Sequence, residues 1–219
     1  GIYSINVDTD TVTRVDVNSS GSTVTNQGWS KNSDDIDVSS DGRFVTYADR
    51  DYVVAGDWNS GQKVNVFVKD TLTGDLELID EANEDNGTYA PKISDDGRYV
   101  LFKSDAELTD SDKSDRDAQL DDTYMPPGYY SEPIENDFFL ADRLNDTIIR
   151  VNEDSDGNRF DSGGYGTSGD LSADGTKVVF DSTQNITDNE SASTNLKVFV
   201  KDLTNGDLAL VSGNETDNA

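Results

Sequence analysis

Ser39-Ser-Asp-Gly-Arg-Phe-Val-Thr-Tyr47 (SSDGRFVTY) decides the fold, because it comes back. It returns as SDDGRYVLF at Ser94–Phe102 and as SADGTKVVF at Ser172–Phe180. Each copy centres on an Asp-Gly pair: Asp41-Gly42, Asp96-Gly97 and Asp174-Gly175. These residues are at ease with positive φ, so each pair marks a tight turn that feeds an apolar strand. Self-similarity on this scale is the signature of stacked repeats.

A second motif alternates with the first. It is an apolar run, an Asp or Asn, a polar turn and another apolar run. It appears as VFVKDTLTGDLELI (Val66–Ile79), FFLADRLNDTIIRV (Phe138–Val151) and VFVKDLTNGDLALV (Val198–Val211). A fourth copy, IYSINVDTDTVTRV (Ile2–Val15), opens the chain. In the last full copy Val198, Val200, Leu208 and Leu210 recur with the period of two that a strand requires. One unit is therefore two hairpins, or four antiparallel strands, and no stretch carries a helical period. The fold class is all-β, and four-stranded units stacked in series are β-propeller blades.

The Ser-x-Asp-Gly-[Arg/Thr]-x-Val-x-Phe run, followed by Val-Phe-Val-Lys-Asp and a Thr-Gly or Asn-Gly turn, resembles the TolB-like (WD-type) β-propeller repeat family. It looks most like the Asp-rich version found in tandem in large exported prokaryotic surface proteins. That resemblance implies a single β-propeller-like domain over 1–219. Residues 1–35 form a half blade and linker, 36–90 a blade, 91–170 a blade with a long insertion at 115–136, and 171–219 a blade. About three and a half blades imply an open or partial propeller whose end must be covered. A compact four-bladed closure, with residues 17–32 supplying the missing strand, is the alternative.

The balance of 17 Lys and Arg against 45 Asp and Glu gives a net charge of −28. Such a surface repels nucleic acid and anionic lipid and favours cations or a basic partner. Adaptation to high salt, where counterions screen the self-repulsion, would give the same composition. No cysteine is present, so no disulfide staples the fold. No apolar run is long enough for a membrane span. Without a visible signal peptide, the start at Gly1 reads as a processed chain or an excerpt of a longer one. Six Asn-x-Ser/Thr sequons, at Asn18, Asn86, Asn145, Asn185, Asn189 and Asn214, suit a surface glycoprotein. The expected location is extracellular or cell-surface, with the periplasm as alternative.

Calcium is the expected cofactor. The Asp-rich loops offer Asp57 and Asn59 in the first blade, and Asp110 and Asp112 in the second. Alternating oxygen-bearing side chains can wrap one hard cation. The sharpest candidate is NEDSDG, which sets Asn152, Asp154 and Asp156 at positions 1, 3 and 5 of a calcium-type loop, with Gly157 at the turn and Asp161 near. Position 12 is Gly163 rather than Glu, so this is not an EF-hand. Against that stands the use of Asp and Asn simply to satisfy turn backbone.

The insertion carries Tyr124, Met125, Pro126, Pro127, Tyr129 and Tyr130. Long loops rich in amphipathic aromatics suit contact surfaces. The alternatives are a cap over the edge of its own sheet and a disordered tip. With no His and no Cys, Ser-His-Asp and Cys-His catalysis and His-based zinc sites are excluded. Only a carboxylate pair of the glycosidase kind remains.

The leading reading is a non-catalytic structural or adhesive module of an exported protein. It would bind protein partners or neighbouring subunits through blade edges and the Tyr/Pro-rich loop. A TolB-like periplasmic interaction scaffold and a carboxylate-based carbohydrate-active enzyme are the alternatives, with carbohydrate as a further candidate ligand. If calcium binds at Asn152–Asp161, it should raise the melting temperature and EDTA should reverse the rise. Replacing Asp154 and Asp156 by Ala should abolish the shift. A metal-dependent shift that survives in the double variant refutes this assignment.

Overall fold

A computed structural model describes residues 1–17, 21–22, 36–49, 64–80, 87–104, 108–109, 137–153, 168–182 and 196–212. These residues contain β-strands and no helix. β1 (Tyr3–Asn6) and β2 (Thr11–Arg14) form a two-stranded hairpin. β3 (Ile36–Val38), β4 (Phe44–Asp49), β5 (Asn65–Asp70) and β6 (Leu76–Leu78) form the first full sheet. β7 (Thr88–Ile93), β8 (Tyr99–Ser104), β9 (Asp137–Asp142) and β10 (Thr147–Arg150) form the second. β11 (Gly169–Leu171), β12 (Lys177–Ser182), β13 (Lys197–Asp202) and β14 (Leu208–Leu210) form the third. Within each sheet the strands pair in sequence order, all antiparallel.

Three apolar cores lie between these sheets. Ile2 and Val15 of the opening hairpin meet Val45, Tyr47 and Phe67 of the first sheet. Ala48, Val66, Val68 and Ile79 of the first sheet meet Ile93, Val100, Phe102 and Phe139 of the second. Leu101, Phe138, Leu140 and Val151 of the second meet Val178, Phe180 and Phe199 of the third. The sheets are therefore stacked face to face in chain order, as blades. The first two full sheets bury both faces, which is why their third strands read as near-continuous apolar runs.

The third sheet shows the consequence for pattern reading. Phe199 is paired with Leu210, so these two share the face toward the second sheet. Val198 and Val200 project from the opposite face. The alternation seen in the sequence spans both sides of the blade rather than one.

The repeated turn is held by one set of bonds in all three copies. Ser39 Oγ donates to Asp41 Oδ1 (2.7 Å), Arg43 N donates to the same oxygen (2.9 Å), and Phe44 N donates back to Ser39 Oγ (2.9 Å). Ser94, Asp96, Arg98 and Tyr99 repeat this set, as do Ser172, Asp174, Thr176 and Lys177. A Ser side chain fits because its hydroxyl can donate and accept at once. Gly42, Gly97 and Gly175 close the turns at φ of 74°, 74° and 69°.

Two of these glycines also receive a ring from the preceding blade. Phe44 lies on Gly97, where an added Cβ would stand 2.1 Å from its Cδ2. Tyr99 lies on Gly175 in the same way, at 2.2 Å. Nothing lies within 4 Å of the equivalent point on Gly42. Among the described residues the opening hairpin has no inner turn from which a ring could come.

The opening hairpin otherwise matches the outer half of each blade. Val15 N donates to Ile2 O at 2.9 Å, as Ile79 does to Val66, Val151 to Phe138 and Val211 to Val198. Asp10 takes the left-handed position filled by Gly74, Asp146 and Gly206. The sequence expectation of a half blade, three blades and their order therefore matches the sheets. Of residues 17–32, weighed as a source of the missing strand, all but Val17, Gly21 and Ser22 lie outside the described residues.

The glycines give a graded test. Gly42→Ala should cost about 1–2 kcal/mol, the left-handed backbone penalty for a residue with a Cβ. Gly97→Ala adds a clash with a packed ring, which typically costs a further ~1–3 kcal/mol. Urea unfolding of the two variants should rank Gly97→Ala clearly below Gly42→Ala. Equal losses would show that the ring-on-glycine contact is not a tight joint.

Candidate interaction surfaces

The acidic residues of the blades have structural work. Asp70 uses its two oxygens separately. Oδ1 accepts from Leu72 N and Thr73 N of the outer turn, at 2.8 and 3.2 Å. Oδ2 accepts from Arg43 Nη2 of the inner turn at 2.7 Å. Asp142 links the same two turns: its Oδ1 accepts from Leu144 N at 3.1 Å and from Arg98 Nε at 2.9 Å, and its Oδ2 accepts from Arg98 Nη2 at 2.6 Å. Asp202 repeats the Asp70 pattern with Thr204 N and Lys177. The Arg43 guanidinium holds the Asp70 carboxyl down at about 2, and Arg98 does the same for Asp142. The Lys177 ammonium, followed by Thr204, brings Asp202 to about 2. The hydroxyl of Ser172, followed by Thr176, brings Asp174 to about 2. Hydrogen bonds to the charged form favour ionisation, so each perturbed carboxyl is explained by its turn rather than by a reaction.

A second polar position recurs just after the outer strand. Asp80 accepts from Val66 N at 2.7 Å and from Thr88 Oγ1. Asn152 occupies the same place: its Oδ1 accepts from Phe138 N at 2.9 Å, and its Nδ2 donates to Asp137 Oδ1 at 2.6 Å. Ser212 accepts from Val198 N at 2.9 Å. Asn152, expected as the first residue of a calcium loop, therefore clasps the outer strand to β9.

The other expected ligands, Asp154, Asp156, Asp161, Asp110, Asp112, Asp57 and Asn59, lie outside the described residues. So do Tyr124, Met125, Pro126, Pro127, Tyr129 and Tyr130, and the sequons at Asn18, Asn86, Asn185, Asn189 and Asn214. Among the described residues no group of three or more Asp or Glu is placed to hold a metal. Asn145 is described. It sits exposed on the β9–β10 turn, with its Nδ2 donating to Asp142 Oδ2 at 2.8 Å.

Among the described residues two kinds of surface are open to binding. One is an open cleft of about 350 Å³ between the outer strands of the first and second sheets. Leu78, Ile79, Ala141 and Ile148 line it, and the Arg143–Glu77 ion pair crosses between the two blades at 2.6 Å. The other is the outward face of the opening hairpin, with Tyr3, Ile5 and Val12 exposed and Val7 beside them at the turn. Phe67, Phe139 and Phe199, which hold the position of Tyr3 in the full blades, are fully buried, whereas Tyr3 is 57% exposed. The sequence motif identified the hairpin. It could not identify this face as exposed, because that depends on no sheet among the described residues packing against it.

No family model and no curated protein matches the chain. Solved structures do. TolB from Acinetobacter baumannii is 16% identical, with a TM-score of 0.47, over 95% of this chain and 36% of that one. The tricorn protease is 14% identical, with a TM-score of 0.48, over 91% of this chain and 15% of that one. The β-propeller domain of the Trilobed protease from Pyrococcus furiosus is 11% identical, with a TM-score of 0.45, over 80% and 40%. The chain thus spans well under half the length of each of these proteins. The assignment stands on its own sheets and junctions: this is an all-β protein of stacked four-stranded antiparallel blades, a partial propeller. No helix among the described residues is long and apolar enough to cross a membrane.

The depressed carboxyls set an acid dependence. Asp142 protonates near 3.8 in the unfolded chain and at about 2 in the blade. The unfolded state takes up the proton first, so this contribution is present above about pH 4 and is lost as pH falls towards 2. Asp142→Asn should be less stable than the parent at neutral pH and should lose less further stability between pH 4 and 2. Parallel profiles of melting temperature against pH would refute the role of the Arg98–Asp142 pair.

Proposed function

We propose that the chain is a non-catalytic protein-interaction scaffold whose contact surface is the outward face of the β1–β2 hairpin. The observation that carries this reading is the exposure of Tyr3, Ile5, Val7 and Val12 together on one small hairpin. A contiguous exposed apolar patch on a chain of charge −28 is a feature of interaction sites. The perturbed carboxyls support the same reading, because each is committed to a turn. The acidic surface and the sequons support an exported setting, extracellular, at the cell surface or periplasmic. A structural or adhesive role is the form this takes if the partner is a neighbouring subunit. Calcium at Asn152–Asp161 would act there as a stabiliser rather than a reactant.

A photoreactive side chain placed at Ile5 should crosslink a discrete polypeptide in the cells that make the protein. The same group at Asp146, on an exposed turn, serves as the control. Crosslinking no stronger at Ile5 than at Asp146 would refute the hairpin face as the contact surface.

A further inference from the structure

The described sheets leave two outward faces, and they match. Each junction inside the chain joins the outgoing face of one sheet to the incoming face of the next. On the outgoing face the repeat places Val66, Val68 and Ile79 in the first sheet and Phe138, Leu140 and Val151 in the second. All six are buried against the following blade. In the third sheet these positions are Val198, Val200 and Val211. Val198 and Val200 are half-buried, and Val211 is 58% exposed. Leu196 is 51% exposed where its counterpart Val64 is buried. At the other end, Tyr3, Ile5 and Val12 show the incoming face of the opening hairpin.

The inner parts of the two ends match as well. Each junction between two full sheets sets a ring of the outgoing sheet on a bare glycine of the incoming one, as with Phe44 on Gly97 and Tyr99 on Gly175. The third sheet has Lys177 at the ring position, paired with Asp202. Among the described residues the opening hairpin has no inner turn beside it, and so no turn glycine to receive a ring. The sheet that lacks the ring is the one whose counterpart lacks the socket.

We infer that a second copy of this chain occupies the outgoing face of the third sheet, seating the outward face of its β1–β2 hairpin there. The contact continues the packing made three times within each chain. It deepens the reading proposed above, on which it rests, by naming the partner. Such a contact is heterologous, so it propagates head to tail and closes only if the rotation permits. Each copy carries a charge of −28, so association is opposed by repulsion at low salt. The Debye length falls from about 10 Å at 0.1 M to about 3 Å at 1 M, which relieves that repulsion while leaving apolar burial intact. Self-association should therefore strengthen with salt, opposite to the behaviour of an ion-paired interface.

Sedimentation velocity of the whole chain, in dilute buffer and in molar potassium chloride, tests this with two surface variants. Val211→Asp alters only the outgoing face and Ile5→Asp only the incoming one. Both residues are exposed, and circular dichroism checks that each variant folds. The parent should form oligomers in molar salt, and each variant alone should be monomeric. A 1:1 mixture of the two should form dimers and nothing larger, because one sound face of each kind remains. A parent monomeric at every salt concentration overturns the inference, and so does a variant that still oligomerises alone or a mixture that stays monomeric. If Ile5 crosslinks a different polypeptide while the parent stays monomeric, the scaffold reading survives and this one fails.

Discussion

One carboxylate per blade ties the two hairpins of that blade together. Asp70 and Asp202 each give one oxygen to the outer turn and the other to a cation of the inner turn, and Asp142 joins the same two turns with both of its oxygens. The two hairpins of a blade are linked in the chain by long, variable segments, so their register must be fixed from the blade itself. A carboxylate can do this because its oxygens accept bonds in different directions, and a guanidinium can answer with a directed fork. The pairing also places the Arg43 guanidinium over the Phe44 ring, 4.7 Å from its centroid, and Arg98 over Tyr99 at 4.6 Å. The ring that makes the next junction is thus steered by the pair that closes the present blade.

This division of labour explains which parts of the molecule were legible in its residues. The Ser-x-Asp-Gly turn and the alternating outer motif specify their own hydrogen bonds, so the blades, their order and the opening half blade can be read directly. Facing is less legible. Val198 and Phe199 are both apolar neighbours in VFVKD, yet they point to opposite sides of the sheet. A strand buried on both faces loses the polar alternation that would tell its sides apart. Asn152 illustrates a different gap. Its spacing to Asp154 and Asp156 suits a cation loop, and its place after the outer strand also gives it the same clasp as Asp80 and Ser212. Reading it required the alignment of the repeats against one another in space. The exposure of Tyr3 and Val211 was illegible for a third reason: their equivalents are core residues, and only position in the stack distinguishes them.

The surplus of acid has a similar double character. In the described blades the recurrent Asp residues are turn formers whose protonation is suppressed by donors around them. They are functional in folding, and their shifts are what a tight, donor-rich turn produces. Among the described residues, exposed apolar side chains gather on the opening hairpin and at Leu196 and Val211 of the third sheet.

The joint of ring and glycine has a direction, since a blade presents its ring forwards and its glycine backwards. An array assembled from such joints is polar, like a row of hooks and eyes. Gly42 is an eye with no hook behind it, and Lys177 replaces the hook on the last blade. A single substitution at residue 177, from Lys to Phe or Tyr, would therefore change the grammar of the array. It would give the third blade the ring that Gly97 and Gly175 receive from the blades before them.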